Sequence, residues 1–286
     1  MENKDEIILN INKPNKSNKK KKKPIKKVKN KNNKIKNIKD IKNKKKKRIT
    51  IRIILILIAL ISICILLVSS EIFNIKKISV EGLDKLTDKE IISCSNIIIG
   101  ENIYKTNLKT SENMINKNPY IKNVQVARKF PNIINIKIEE RKVNYMLQLA
   151  ESFVYIDSQG YILEISKESK SVPILLGIVT DLSNIQAGDR LEKDDLLKFD
   201  KINSITETCK SYDIYNLLTK IDITDSSNFI LYLETEGKNV FLGDASNLNT
   251  RMLWLKSIID KTSGKKGIIY LDMDLNSKKP YFRQEG

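Results

Sequence analysis

Histidine is absent from all 286 residues, and that absence removes His-based triads, imidazole metal sites and histidine general bases together. Cysteine is nearly absent. Cys64 lies in an apolar run, and Cys94 and Cys209 fall in different segments, so no disulfide framework follows and small buried apolar side chains are the better reading. No Gly-rich phosphate loop occurs anywhere in the chain. In residues 1–52 no aromatic side chain interleaves the lysines, which argues against stacking on nucleic acid. Acidic residues are scarce there too, 4 against 22 Lys and Arg, whereas the remainder carries 30 of each sign. The whole net charge of +18 thus lies in the first fifth of the chain. Lys, Ile and Asn are frequent throughout, so isolated Lys motifs carry little weight.

What is present begins with Ile53–Ser70, eighteen residues without charge, Gly or Pro. As a helix the run is about 27 Å long, close to the thickness of a hydrocarbon core. A buried core helix would show a polar stripe, and none exists. A cleaved signal peptide would have a shorter apolar core behind a short basic leader, not fifty-two residues. Residues 53–73 are therefore read as one transmembrane helix. Lys42, Lys44–Lys47, Arg48 and Arg52 crowd its N-terminal side, and the positive-inside rule keeps that side cytoplasmic and exports residues 71–286. Residues 1–52 read as a disordered basic tail that contacts anionic inner-leaflet lipid.

Beyond the span, Ile75–Leu83 alternates as a strand, and Thr87-Asp88-Lys89-Glu90 fits a helix-opening capping box. A second helix is expected over 108–117, stopped by Pro119. Two strands follow, one with Val124 and Val126 and one with Ile134, Ile136 and Ile138, joined at Phe130-Pro131-Asn132. The order is strand–helix–helix–strand–strand. Together with Ile78-Ser79-Val80-Glu81-Gly82, the spacing Val124-x-Val126-x-Arg128-x-x-Pro131 and the strand end Glu139-Glu140-Arg141, it resembles the POTRA domain of the bacterial division family DivIB/FtsQ.

The remainder extends the resemblance. A hairpin is expected around Asp157-Ser158-Gln159-Gly160, followed by the short element Pro173–Gly177 and a helix over 194–210. Strands are then expected over 221–224, 229–234 and 240–242, a helix around Leu248, Met252, Leu255 and Ile259, and a final strand Ile268–Leu275. The fold class is α+β: a single transmembrane helix, a POTRA domain (β-α-α-β-β) over 74–142, and a mixed, mainly antiparallel β domain with flanking helices over 143–286.

Three constellations imitate catalytic or metal sites. Ser263-x-x-Lys266 lies in a Gly-bounded loop and lacks the partner motifs of penicillin-binding enzymes. Asp272-x-Asp274 opens like a Ca²⁺ loop but has Ser277 where Gly is required and Arg283 where Glu is required. Glu139 and Glu140 adjoin on a strand and face opposite ways. No catalytic residue, cofactor or metal is expected. A wall hydrolase or transpeptidase and a POTRA-bearing secretion factor remain the alternatives, the latter without a barrel pattern to support it. An outermost strand can instead accept a partner's strand, and 268–275 is the expected edge. The resemblance implies a non-enzymatic scaffold at the division septum that binds FtsL-like and FtsB/DivIC-like proteins and serves the septal peptidoglycan synthesis machinery. It places the partner-binding surface on Leu275, Ser277, Tyr281 and Phe282.

Overall fold

The computed structural model describes residues 29–275 and 277–285, with side chains from residue 41 onward. Lys29–Val68 is one continuous helix, α1. The expected disorder through residue 52 is thus corrected from Lys29 on, and residues 1–28 lie outside the described residues. Lysine is a good helix former and the apolar run supplies a long nucleus, so the helix propagates backward into the basic segment. The stretch Ile41–Val68 is long and apolar enough to cross a bilayer, and its leucines and isoleucines are bare on every side. Such a helix needs an apolar solvent around it. It ends at Val68, not at residue 73: Ser69 and Ser70 follow, and the chain tightens into a 3-10 turn at Glu71–Phe73.

The next module comprises β1 (Lys77–Glu81), α2 (Asp88–Cys94), α3 (Leu108–Ile115), β2 (Ile121–Lys129) and β3 (Ile133–Glu140). Its sheet runs β1-β3-β2, with β1 parallel and β2 antiparallel to β3. Alternation in β3 delivers Ile134, Ile136 and Ile138 to a core completed by Ile91, Ile103 and Ile115. The capping box forms: Glu90 Oε2 accepts the Thr87 N–H at 2.7 Å, and Thr87 Oγ1 accepts the Glu90 N–H. Gly82 is obligatory, because a Cβ there would stand 2.0 Å from the Ile138 carbonyl oxygen.

The second module is a nine-stranded mixed sheet. Its elements are β4 (Tyr145–Leu149), β5 (Ser152–Ile156), β6 (Ile162–Ser166), β7 (Ile174–Leu176), α4 (Lys193–Leu196), α5 (Phe199–Ser211), β8 (Lys220–Asp222), β9 (Phe229–Leu233), β10 (Lys238–Gly243), α6 (Leu248–Lys261), β11 (Gly267–Tyr270) and β12 (Tyr281–Gln284). The strand order is β12-β11-β10-β9-β8-β7-β4-β5-β6. The pairs β4/β7, β7/β8 and β10/β11 are parallel and the others antiparallel. Helices α5 and α6 bury Ile202, Ile205, Met252 and Leu255 in the same core as Leu231, Val240 and Ile269. They meet where Cys209 Sγ lies 3.9 Å from Met252 Sδ, and burial pushes the Cys209 thiol up to about 12.

Two elements differ from expectation. The helix over 194–210 is split, because the fully buried Asp195 carboxylate accepts the N–H groups of Val179 and Thr180 and so ties its turn to that loop. The final strand expected over 268–275 stops at Tyr270. After Leu271 the chain turns and returns as β12, an element absent from the sequence reading.

Polar contacts join the two modules. Glu140 accepts the N–H groups of Asp84, Lys85 and Leu86 at 2.9, 2.9 and 3.2 Å, which pins the β1–α2 loop to the end of β3. The next residue, Arg141, reaches the other module: its Nη1 lies 2.6 Å from Asp157 Oδ2 and 3.0 Å from Gln159 Oε1, and its guanidinium covers the Tyr161 ring at 3.8 Å. Lys85 spans the same junction, 2.8 Å from Glu164 Oε2 and 3.7 Å above the Tyr120 ring. Lys170 holds the other oxygen of Glu164. Burial disfavours the Glu164 charge, but Lys170, Lys85 and the nearby Tyr120 hydroxyl outweigh it and lower its pKa to about 2. Tyr120 responds oppositely, its phenol held far above the usual range by burial and by that carboxylate.

Candidate interaction surface at the sheet edge

β12 is one of the two terminal strands of the large sheet, β6 being the other, and pairs only with β11, in the register Gly267↔Gln284, Ile268↔Arg283, Ile269↔Phe282 and Tyr270↔Tyr281. Its approach requires glycine at position 267, where a Cβ would meet the Arg283 carbonyl oxygen at 2.2 Å and the Phe282 ring at 2.9 Å. The Glu285 N–H donates to the Lys266 carbonyl at 3.1 Å. Antiparallel pairs alternate in their bonding, so Arg283 and Tyr281 turn their backbone groups toward β11. Phe282 and Gln284 turn theirs away from the sheet, where a further strand can bind them.

Side chains on β12 alternate with the pleat. Phe282 is half-buried and packs on the core, while Tyr281 is about half exposed on the opposite face. There its ring stacks on Tyr270, with centroids 4.8 Å apart and planes at 20°, and Tyr270 stacks on Phe241 at 5.4 Å and 9°. The result is a three-ring ladder across β10, β11 and β12, with the Arg283 guanidinium 5.6 Å from the Tyr270 centroid. Each such ring pair is worth about 0.5–1.5 kcal/mol beyond its area.

Of the four residues singled out from the sequence, Tyr281 and Phe282 lie on this edge but on opposite faces. Leu275 is half-buried and Ser277 exposed in the preceding turn, where the Ser277 N–H donates to the Asp274 carbonyl. The edge itself is β12 and not the strand 268–275: pairing with β11 covers that side. Phe241, Tyr270, Gly267 and Arg283 were missed as members of the surface. The outward position of Tyr270 in the alternation was a usable signal, and the pairing of β12 was not.

The imitations of chemistry resolve into structure. Ser263 and Lys266 sit in the exposed turn after α6. Glu139 faces Lys122 at 2.5 Å while Glu140 grips the β1–α2 loop. Among the described residues no three Cys, His, Asp or Glu side chains converge as a cation cage.

An apolar helix long enough for a bilayer, a three-stranded α/β module and a nine-stranded mixed sheet define a class of two-module protein behind a candidate membrane span. Residues 73–141 match the family described as "POTRA domain, FtsQ-type". The chain is 31% identical to the cell division protein DivIB of Clostridium acetobutylicum over 230 residues, 78% of this chain and 89% of that protein. It is 26% identical to DivIB of Clostridium tetani (63% and 67% covered) and 23% identical to the cell division protein FtsQ of Syntrophotalea carbinolica (74% and 75%). The chain belongs to the DivIB/FtsQ family of cell division proteins.

Proposed function

We propose that this protein is a non-catalytic scaffold of the division machinery whose β12 edge receives an extended segment of a partner by strand addition. The observation that carries this reading is the open edge itself: outward-facing backbone groups on Phe282 and Gln284 beside an aromatic ladder whose outermost ring, Tyr281, is exposed. Main-chain bonds supply affinity in such an addition, and aromatic anchors supply selectivity. The basic segment 1–52 stays in the cytoplasm against anionic lipid, and both modules stand outside at the septum. A common tether makes weak contacts effectively intramolecular. FtsL-like and FtsB/DivIC-like proteins are the partners, and the wall chemistry belongs to the septal peptidoglycan synthesis machinery that they recruit.

Gln284→Pro tests the edge directly. It deletes one outward N–H, a change that an edge strand accepts without losing its inner ladder. A photo-crosslinking residue at Tyr281 of the full chain in dividing cells should yield an adduct with a single-span division protein. That adduct should vanish with Gln284→Pro while the melting curve of the purified protein stays in place. An undiminished adduct in a stably folded Gln284→Pro variant sinks strand addition.

A further inference from the structure

Eleven large apolar side chains beyond Ser70 are strongly exposed, and five of them gather at one end of the POTRA module. Three segments meet there, 71–75, 98–104 and 130–132. They are tied by the Ile75 N–H to the Glu101 carbonyl, the Ile103 N–H to the Phe73 carbonyl and the Lys76 N–H to the Asn132 carbonyl, at 2.8, 2.8 and 2.9 Å. These bonds fix a platform bearing Ile72, Ile98 and Ile99, each about 60% exposed. Beside them the half-exposed Phe73, Tyr104 and Phe130 form a row of rings 5.3 and 5.4 Å apart. Ile72 and Ile99 line one shallow concavity with Lys76. Clustered exposed apolar groups of this kind mark a surface that is covered in use.

We propose that this platform is seated in the headgroup layer of the membrane that α1 crosses. The covering phase is argued from three features. Ile72 follows Val68 by four residues, so the covalent chain cannot carry it more than about 14 Å from the end of the apolar helix. The rings include Tyr104, whose apolar body and polar tip suit a water–lipid boundary. Lys76, Lys105 and Lys129 flank the apolar groups and outnumber Glu71 and Glu101, a balance that favours anionic phosphates. Apolar groups among lysines are the composition of interfacial segments that lie on membranes. The proposal rests on α1 spanning the bilayer.

The test uses the full chain in vesicles of phosphatidylglycerol and phosphatidylethanolamine, with Trp254→Phe as background and one tryptophan added at a time. Leu60→Trp reports on the span, and Tyr104→Trp, with Phe130→Trp as a second reporter, reports on the platform. Lipids brominated near the headgroup end of the acyl chain should quench both platform reporters, and acrylamide quenching should be lost relative to the same protein in urea. Ile98→Asp combined with Ile99→Asp should restore acrylamide access with an unchanged circular dichroism spectrum. Quenching of the Leu60→Trp reporter by deep bromines, with acrylamide-accessible platform reporters, overturns the proposal and leaves the span intact. An unquenched Leu60→Trp reporter removes the span and the proposal with it. Platform shielding that arises only when membrane proteins are added back overturns lipid in favour of a protein partner.

Discussion

Gly267 decides whether the edge strand exists. The Arg283 carbonyl oxygen and the Phe282 ring already occupy the space that any Cβ would enter, so Gly267→Val should push β12 off while the rest of the sheet stays folded. Overpacking of this kind costs about 1–3 kcal/mol. The Glu285 amide, bonded to Lys266 in the folded chain, should lose hydrogen-exchange protection while core amides such as that of Ile221 keep theirs. Glu164 sets a pH limit at the same scale. Its folded pKa of about 2 lies below the ordinary carboxylate value, so its stabilisation is fully present above about pH 5 and fades as pH falls toward 2. Its lysine partners are one-third and one-half exposed, which screens the effect to roughly 1–2 kcal/mol. Urea denaturation should separate wild type from Glu164→Gln at pH 7, and the gap should narrow steadily below about pH 5, closing only as pH nears the folded pKa of about 2.

At the scale of elements, legibility followed the range of the forces involved. Long alternating runs such as Ile134–Ile138 and the local Thr87–Glu90 cap were readable because periodicity and capping act over a few residues. The split between α4 and α5 was hidden, since it depends on Asp195 accepting N–H groups from a loop fifteen residues away. β12 was hidden for a related reason: four residues carry too short a pattern, and a strand at a margin is specified by its neighbour. Of the candidate site only the two aromatics Tyr281 and Phe282 were therefore visible, and its geometry was not. The Glu139-Glu140-Arg141 run was legible as a mark of resemblance only. Its physical work appears once folding brings residues 84–86 and Asp157 to it.

For the two modules taken together the decisive feature is that junction. Arg141 and Asp157 are almost completely withdrawn from water, with side chains 11% and 5% exposed. Removing one partner strands a buried charge, at about 3–5 kcal/mol. Arg141→Ala should consequently loosen one module against the other before either core melts. Hydrogen exchange should rise first at Gln159 and Tyr161, whose N–H groups the Asp157 carboxylate accepts. Simultaneous loss of protection throughout both cores would contradict a junction of this design.

Glu140 and Arg141, neighbours on one strand end, clasp a loop of the first module and a turn of the second. Two modules clasped in this way keep a set spacing and azimuth, as marks on a ruler do. Lengthening the stretch between Arg141 and Asn144 would reset that gauge while leaving each clasp its own residues.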